Sequence, residues 1–211
     1  MKKVNYFLGV VILATVFLTS CKTDEPSNTD VGVVINGIKW ATCNVAAPNT
    51  FASSPESTGM YYQWNRKIGW SASDPLINSN GVTKWDATVP GGTEWTTTND
   101  PCPAGWCVPS LKIFHTLFDT DKVAHEWATQ NGVNGRKFTD KVIGNSFFLP
   151  AVGRRGEDGN GELESVNYDG DYWSSTQYDE EHAFFLCFGF SDASVDKYYR
   201  NIGRPVRCVA E

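Results

Sequence analysis

The chain has 211 residues, 41% of them hydrophobic and 20% charged. That composition excludes a collagen-like, coiled-coil or wholly disordered molecule and suits one domain with a small appendage. Acidic residues outnumber basic ones by 24 to 18, for a net charge of −6, so the chain lacks the electrostatic footprint of a nucleic-acid binder and no nucleic-acid partner is expected.

The first stretch reads as an address rather than as fold. Lys2 and Lys3 form a short positive region, and Phe7 to Leu18 carries no charge. That run is too short for a spanning helix, which needs about 20 residues. It ends in Leu18-Thr-Ser-Cys21, which resembles the lipobox of bacterial lipoproteins. There, small side chains admit the peptidase and the thiol takes the lipid. The expected division is therefore a signal peptide over 1–20, a polar tether over 21–30 and one domain over 31–211, with Cys21 lipidated. Acyl chains stabilise membrane attachment by about 0.8 kcal/mol per buried CH₂. The expected location is the cell envelope at the outer membrane. Asp24-Glu25 resembles the surface-export signal of Bacteroidetes lipoproteins, and equally reads as a solvated spacer.

In chain order, Val31 to Ile35 and Ile38 to Thr42 are β-rich runs around Asn36-Gly37, the strongest short hairpin signal because both turn residues take positive φ. Gly59 to Trp64 is an aromatic strand. Residues 65–101 mix polar residues with three Trp and show no lasting period, so they read as long loops pinned by aromatics, a length that is often functional. Ser110 suits a helix N-cap, and Leu111, Phe114, Leu117 and Phe118 fall on one helical face. Val123, His125, Trp127 and Thr129 alternate; a helix also fits, and strand is favoured. Asn131-Gly132 and Asn134-Gly135 read as turns. Arg136 to Asp140 follows, then strands at Ser146 to Val152, Tyr172 to Ser175, Ala183 to Phe190 and Val206 to Val209. One or two helices among many short strands and long loops make an α+β domain.

Lipidation of Cys21 leaves Cys43, Cys102, Cys107, Cys187 and Cys208, an odd number in a compartment that permits disulfides. Cys102 and Cys107 form a C-x4-C segment, but zinc needs two further ligands, and His115, His125 and His182 are scattered. A disulfide is the favoured reading over metal.

Seven blocks in order carry a family resemblance: Trp40-Ala-Thr-Cys-Asn-Val45, Gly59-x-Tyr-Tyr-x-Trp64, Cys102-Pro-x-Gly-Trp-x-Val-Pro-Ser110, Asn131-Gly-Val-Asn-Gly135, Gly144-Asn-Ser-x-Phe-Leu-Pro-Ala-x-Gly153, Tyr172-Trp-Ser-Ser175 and Gly203-x-Pro-Val-Arg-Cys-Val209. Together they resemble the Fibrobacter succinogenes major paralogous domain, FISUMP, over residues 35 to 209. That family is similar in fold to C-type lectin-like domains and the formylglycine-generating enzyme. The resemblance implies terminal strands paired in one sheet, a helix against it and a broad loop region. It also brings the regions of Cys102 and Cys208 together and so suggests a bridge between them, with Cys43, Cys107 and Cys187 unassigned.

The family has no agreed activity. The formylglycine-generating enzyme has a C-x4-C cysteine pair near its C-terminal end, whereas Cys102 and Cys107 precede the helix, so its catalytic residues do not carry over. No G-x-S-x-G occurs, and in His125-Glu-Trp-Ala-Thr129 a Thr replaces the second His of a zinc protease. The chain is therefore expected not to be an enzyme and to hold no cofactor. The acidic pairs at 157–164 and 179–181 read as solvated faces, since nothing in the sequence sets the fixed carboxylate gap a glycosidase requires. Glu157 to Glu162 offers oxygens to calcium, yet Leu163 breaks the EF-hand register and the lectin calcium motifs are missing. A plain acidic turn is favoured there.

Aromatic rings remain as the means of recognition, because each joins a flat apolar face to a polar handle. Trp64, Trp70, Trp85, Trp95, Tyr168, Tyr172, Tyr178, Tyr198 and Tyr199 are the supply, while Trp40, Trp106 and Trp173 are expected in the core. The ligand-binding candidates are Trp70, Trp85 and Tyr178, expected to be exposed beside the Gly-rich 156–171 loop. The leading expectation is non-catalytic recognition of a glycan or an envelope protein. The alternatives are an assembly subunit of a surface appendage or lipoprotein complex, and an enzyme with an unrecognised site.

Overall fold

A computed structural model describes Met1 and residues 29–211 apart from 157. The signal peptide, Cys21 and Asp24-Glu25 lie outside the described residues, as does Glu157 of the acidic turn.

The fold begins with a hairpin, β1 (Val33–Ile35) and β2 (Ile38–Trp40). As expected, Asn36 and Gly37 make its turn with φ of 47° and 76°. Next come β3 (Tyr61–Tyr62), β4 (Gly69–Trp70) and β5 (Trp106–Cys107). Between β4 and β5 the only regular element is one 3₁₀ turn, Thr97–Asn99, so 71–101 is the long loop region expected, whereas Gly69–Trp70, inside the expected 65–101 loops, is strand. Ser110 caps α1 (Leu111–His115), accepting from the Ile113 amide. The helix runs into a 3₁₀ turn at Thr116–Phe118, and Phe114 and Leu117 bury its apolar face.

The alternating stretch is indeed a strand, β6 (Val123–Gln130). It turns at Asn131-Gly132 into β7 (Val133–Asp140), which pairs with β8 (Ser146–Pro150). The Asn134-Gly135 turn is corrected. Both residues lie inside β7, paired with Thr129 and Ala128. Gly135 is required there by close approach rather than by chain reversal: a Cβ on it would stand 2.3 Å from the Leu149 carbonyl and 2.4 Å from the Phe148 ring.

Then follow β9 (Arg154–Arg155), β10 (Leu163–Glu164), β11 (Gly170–Gln177), β12 (His182–Phe188), β13 (Ala193–Tyr199) and β14 (Val209–Ala210). Strand β13 is absent from the sequence reading. It ends its sheet, and none of its positions is fully buried, so it carries no apolar run. Val206 to Cys208, expected as strand, is extended chain bonded to the segment after β2: the Ala41 amide donates to the Cys208 carbonyl at 2.9 Å and Val45 to Val206 at 3.0 Å.

All strand pairs are antiparallel. The sheets run β1-β2-β14-β5, β6-β7-β8, β11-β12-β13, β3-β4 and β9-β10. The domain is thus a set of small antiparallel sheets with a single short α-helix, and its first and last strands share one sheet. Cys102 and Cys208 are bonded, with S–S 2.06 Å across 106 residues of sequence, within a cluster that includes Trp64 and Trp173. A second cluster packs Trp40 with Phe114 and Phe147. Trp106, expected in the core, is only partly buried, against the first cluster.

Asp30, assigned to the tether, is bound into the fold. Its carboxylate accepts from the amides of Gly32 (2.7 Å), Thr42 (2.7 Å) and Cys43 (3.1 Å). A charged acceptor for three otherwise unmet donors holds the chain start against the end of β2.

Candidate functional site

The sheet β11-β12-β13 positions the site. Register places Asp171 opposite Cys187 and Cys187 opposite Ser194. Trp173, Phe185 and Asp196 form the next row, and Ala183 and Tyr198 the one after. Side chains opposed across a pair share a face, so these rows form one surface. On its other side Tyr172, Leu186 and Val195 pack into the Trp40 core. Over the first surface lies an open cleft of about 360 Å³, walled by Arg154, Asp169, Gly189, Asp192 and Arg204. That volume falls at the lower end of the roughly 300–1,000 Å³ of small-molecule sites.

Two arginines missed at the sequence level organise the cleft. Arg204 is 1% exposed. Its backbone pairs with Tyr62 in both directions, 2.9 and 2.8 Å. Its guanidinium stacks 3.9 Å from the Phe185 ring centre, 4.7 Å from Trp173 and 5.4 Å from Tyr198. A cation over aromatic faces is attracted by their quadrupoles, which locks these rings as a rigid floor. Arg154 bridges Asp171 at 3.2 Å and Glu164 at 3.6 Å. A buried arginine runs against the usual surface preference of the residue; Arg204 stands at the unspecified position of the Gly203-x-Pro-Val-Arg block, so the sequence carried no signal for it. Arg207 of the same block is buried outside the cleft, its Nε donating to Asn44 Oδ1 at 2.9 Å and holding the C-terminal segment.

Cys187 lies in the cleft floor, its Sγ 3.2 Å from Ser194 Oγ. Burial, partly offset by that hydrogen bond, pushes its pKa up, so the thiol is neutral at physiological pH. Cys107, on the far sheet, is likewise pushed up to about 11 by desolvation and by Asp100. Because Cys102 is committed to Cys208, the C-x4-C segment is not a dithiol.

The sequence candidates divide. Trp70 and Trp85 are corrected: they are 2% and 5% exposed and pack on each other with ring centres 4.8 Å apart. Gly156, Gly161 and Gly203 crowd Trp85 so closely that a Cβ on any of them would come within 2.9 Å of the indole. Trp64, Trp95 and Tyr172 are also buried. Tyr178 is exposed, as expected, but it contacts Phe184 and lies beneath the Lys197 ammonium at 4.7 Å. Phe184 and Lys197 face each other in register, on the side of the sheet away from the cleft. Of the aromatic supply, Tyr198 alone lines the cleft. It also lines a neighbouring concavity of about 300 Å³ with Tyr199, Gly156 and Gly159, which brings the Gly-rich loop to the same rim.

Among the described residues, no group of three or more His, Cys, Asp or Glu side chains is arranged to hold a metal ion. The Asp158 carboxylate closes its own turn, accepting from the Asn160 amide at 2.9 Å. Over a buried floor of arginine-stacked aromatics the cleft offers carboxylate acceptors, the Ser194 hydroxyl and the half-buried Tyr198 ring, a set suited to holding a hydroxyl-bearing ligand. No family model, no curated protein and no solved structure matches the chain.

Proposed function

We propose that this is a lipid-anchored cell-envelope protein whose domain recognises a glycan, without catalysis, through the cleft over β11-β12-β13. The observation that carries this reading is the cleft lining itself. Hydroxyl pairs of a sugar both donate and accept, and Asp169, Asp192, Asp196 and Ser194 present acceptors and a hydroxyl beside Tyr198, the half-buried ring of the lining, while Arg154 is committed to Asp171 and Glu164. The locked floor and the salt-bridged Arg154 reduce the ordering cost of binding. We assign the fold to the C-type lectin-like FISUMP type; the pairing of β2 with β14, the single helix and the long loop over 71–101 support that assignment. The test is a glycan array probed with the full chain and with Asp196→Ala, whose side chain is exposed at the cleft rim. Glycans retained by the parent and lost by the variant are expected; a parent that retains none, or a variant with an unchanged profile, refutes the proposal.

A second reading, an assembly subunit, draws support from β6 and β13, which end their sheets with eight and seven residues respectively and offer edges for strand addition. Recovery of one stoichiometric envelope protein by crosslinking at β13, with an empty glycan array, would favour it.

A further inference from the structure

We infer that the cleft selects glycans carrying a free amine, an amino sugar, over neutral and uronate-bearing ones. The inference rests on the glycan reading and concerns charge. Four carboxylates line the cleft, Asp169, Asp171, Asp192 and Asp196, against the guanidinium groups of Arg154 and Arg204. The two cations are already engaged. Arg154 is held between Asp171 and Glu164, and Arg204 is covered by aromatic rings to 1% exposure.

The next nearest cations do not reach in. Arg136 is buried behind the β12–β13 hairpin, donating to the carbonyls of Gly189 (2.9 Å) and Asp192 (2.6 Å); its charge offsets part of that of Asp192, but it does not line the cleft. Lys197 pairs with Phe184 on the opposite face. What a ligand meets is therefore Asp169 at the wall, and Asp192 and Asp196, both exposed, at the rim. Ionised carboxylates only accept hydrogen bonds, while an ammonium donates three. A uronate would place a fourth negative charge among them, and like-charge juxtaposition is strongly unfavourable.

Cys187 supplies the reporter. Its thiol sits in the cleft floor, whereas Cys107 lines a separate concavity beside Trp106 and Glu211. In the full chain, the rate of Cys187 alkylation by uncharged iodoacetamide, resolved by peptide mass spectrometry against Cys107, measures occupancy of the cleft. The probes are the trisaccharides of glucosamine, N-acetylglucosamine and galacturonate. The glucosamine trisaccharide is expected to protect Cys187 at about tenfold lower concentration than the N-acetylated one, the ratio one charge-assisted hydrogen bond supports. The preference should shrink in high salt and vanish in the D169N/D192N/D196N triple variant, with Cys107 unaffected throughout. Protection by galacturonate equal to that by glucosamine, or a preference that survives in the triple variant, overturns the charge selection and leaves the glycan reading standing. Protection by none of the three overturns this inference; the glycan reading falls with it only if the array is empty as well.

Discussion

Replacing Trp85 by Ala separates a packing role from a binding role. The indole is 5% exposed, packs at a tilt on Trp70 with ring centres 4.8 Å apart and fills the space between Gly156, Gly161 and Gly203. An aromatic side chain of this kind buries about 200 Å². At about 25 cal/mol per Å² its transfer contributes about 5 kcal/mol. Measured Trp→Ala losses in cores run at about 3–5 kcal/mol, because the cavity relaxes only in part. The backbone around Trp85 has little freedom to collapse: Gly156 and Gly161 hold φ of 90° and 85°, and Arg155 beside them is fully buried with its guanidinium on the Gly161 carbonyl. A loss of about 4 kcal/mol is therefore expected, which lowers Tm by about 8–16 °C for a domain of this size. Trp85→Phe should lose much less, since it keeps a ring and removes an indole N–H that is buried without a partner among the described residues. Calorimetry and urea titration of both variants read this directly. A loss below about 1 kcal/mol for Trp85→Ala would refute the packing role, and an equal loss for both variants would refute the account of the orphaned N–H.

Four further outcomes are expected. Removing the bridge with Cys102→Ala and Cys208→Ala frees a loop spanning 106 residues, and loop-closure entropy sets the loss at about 4–5 kcal/mol in urea titration; an unchanged midpoint would show that the bridge does not form in the oxidised protein. Asp140 accepts from the amides of Asn36 (2.8 Å), Val142 (2.8 Å) and Ile143 (3.1 Å), which hold its pKa below the ordinary carboxylate range. Its contribution is thus full above about pH 4 and lost as pH falls through the lowered value, so the acid-unfolding midpoint should shift and flatten in Asp140→Asn. Burial, and then Arg136, which donates to its Nδ1 at 3.1 Å, lower the His125 pKa; stability is then complete above about pH 6.5 and declines as pH falls below it, a slope that His125→Phe should remove from thermal melts. Cys21→Ala, in the segment outside the described residues, should abolish acyl labelling and release the chain from the membrane fraction; a variant that stays labelled and bound would end the lipobox reading.

Features set by a few adjacent residues were legible in the sequence. Asn36-Gly37 closes its hairpin because the two positive φ angles are a local demand. Ser110 caps its helix because the acceptor and the amide it meets are three residues apart, and β6 follows from alternation along a single strand. The Cys102–Cys208 bridge was reached through family resemblance and not from spacing. Asn134-Gly135 shows the limit: the same dipeptide that turns the chain at 131–132 runs straight through β7, because Phe148 and Leu149 on the next strand need the room a side chain would take. Trp70 and Trp85 sit in loop sequence and looked free to bind. Whether they are exposed depends on glycines 71 to 118 residues beyond Trp85 that close over that indole. The cleft itself had no local signature. It exists because an edge strand without an apolar run, β13, joins β12 in a register that gathers Ser194, Asp196 and Tyr198 beside Cys187 and Phe185. Two arginines distant in sequence are then held there, one by carboxylates and one by rings. Turn angles and caps are decided within a few residues, whereas burial and site formation depend on which distant segments arrive, and that only the tertiary structure determines.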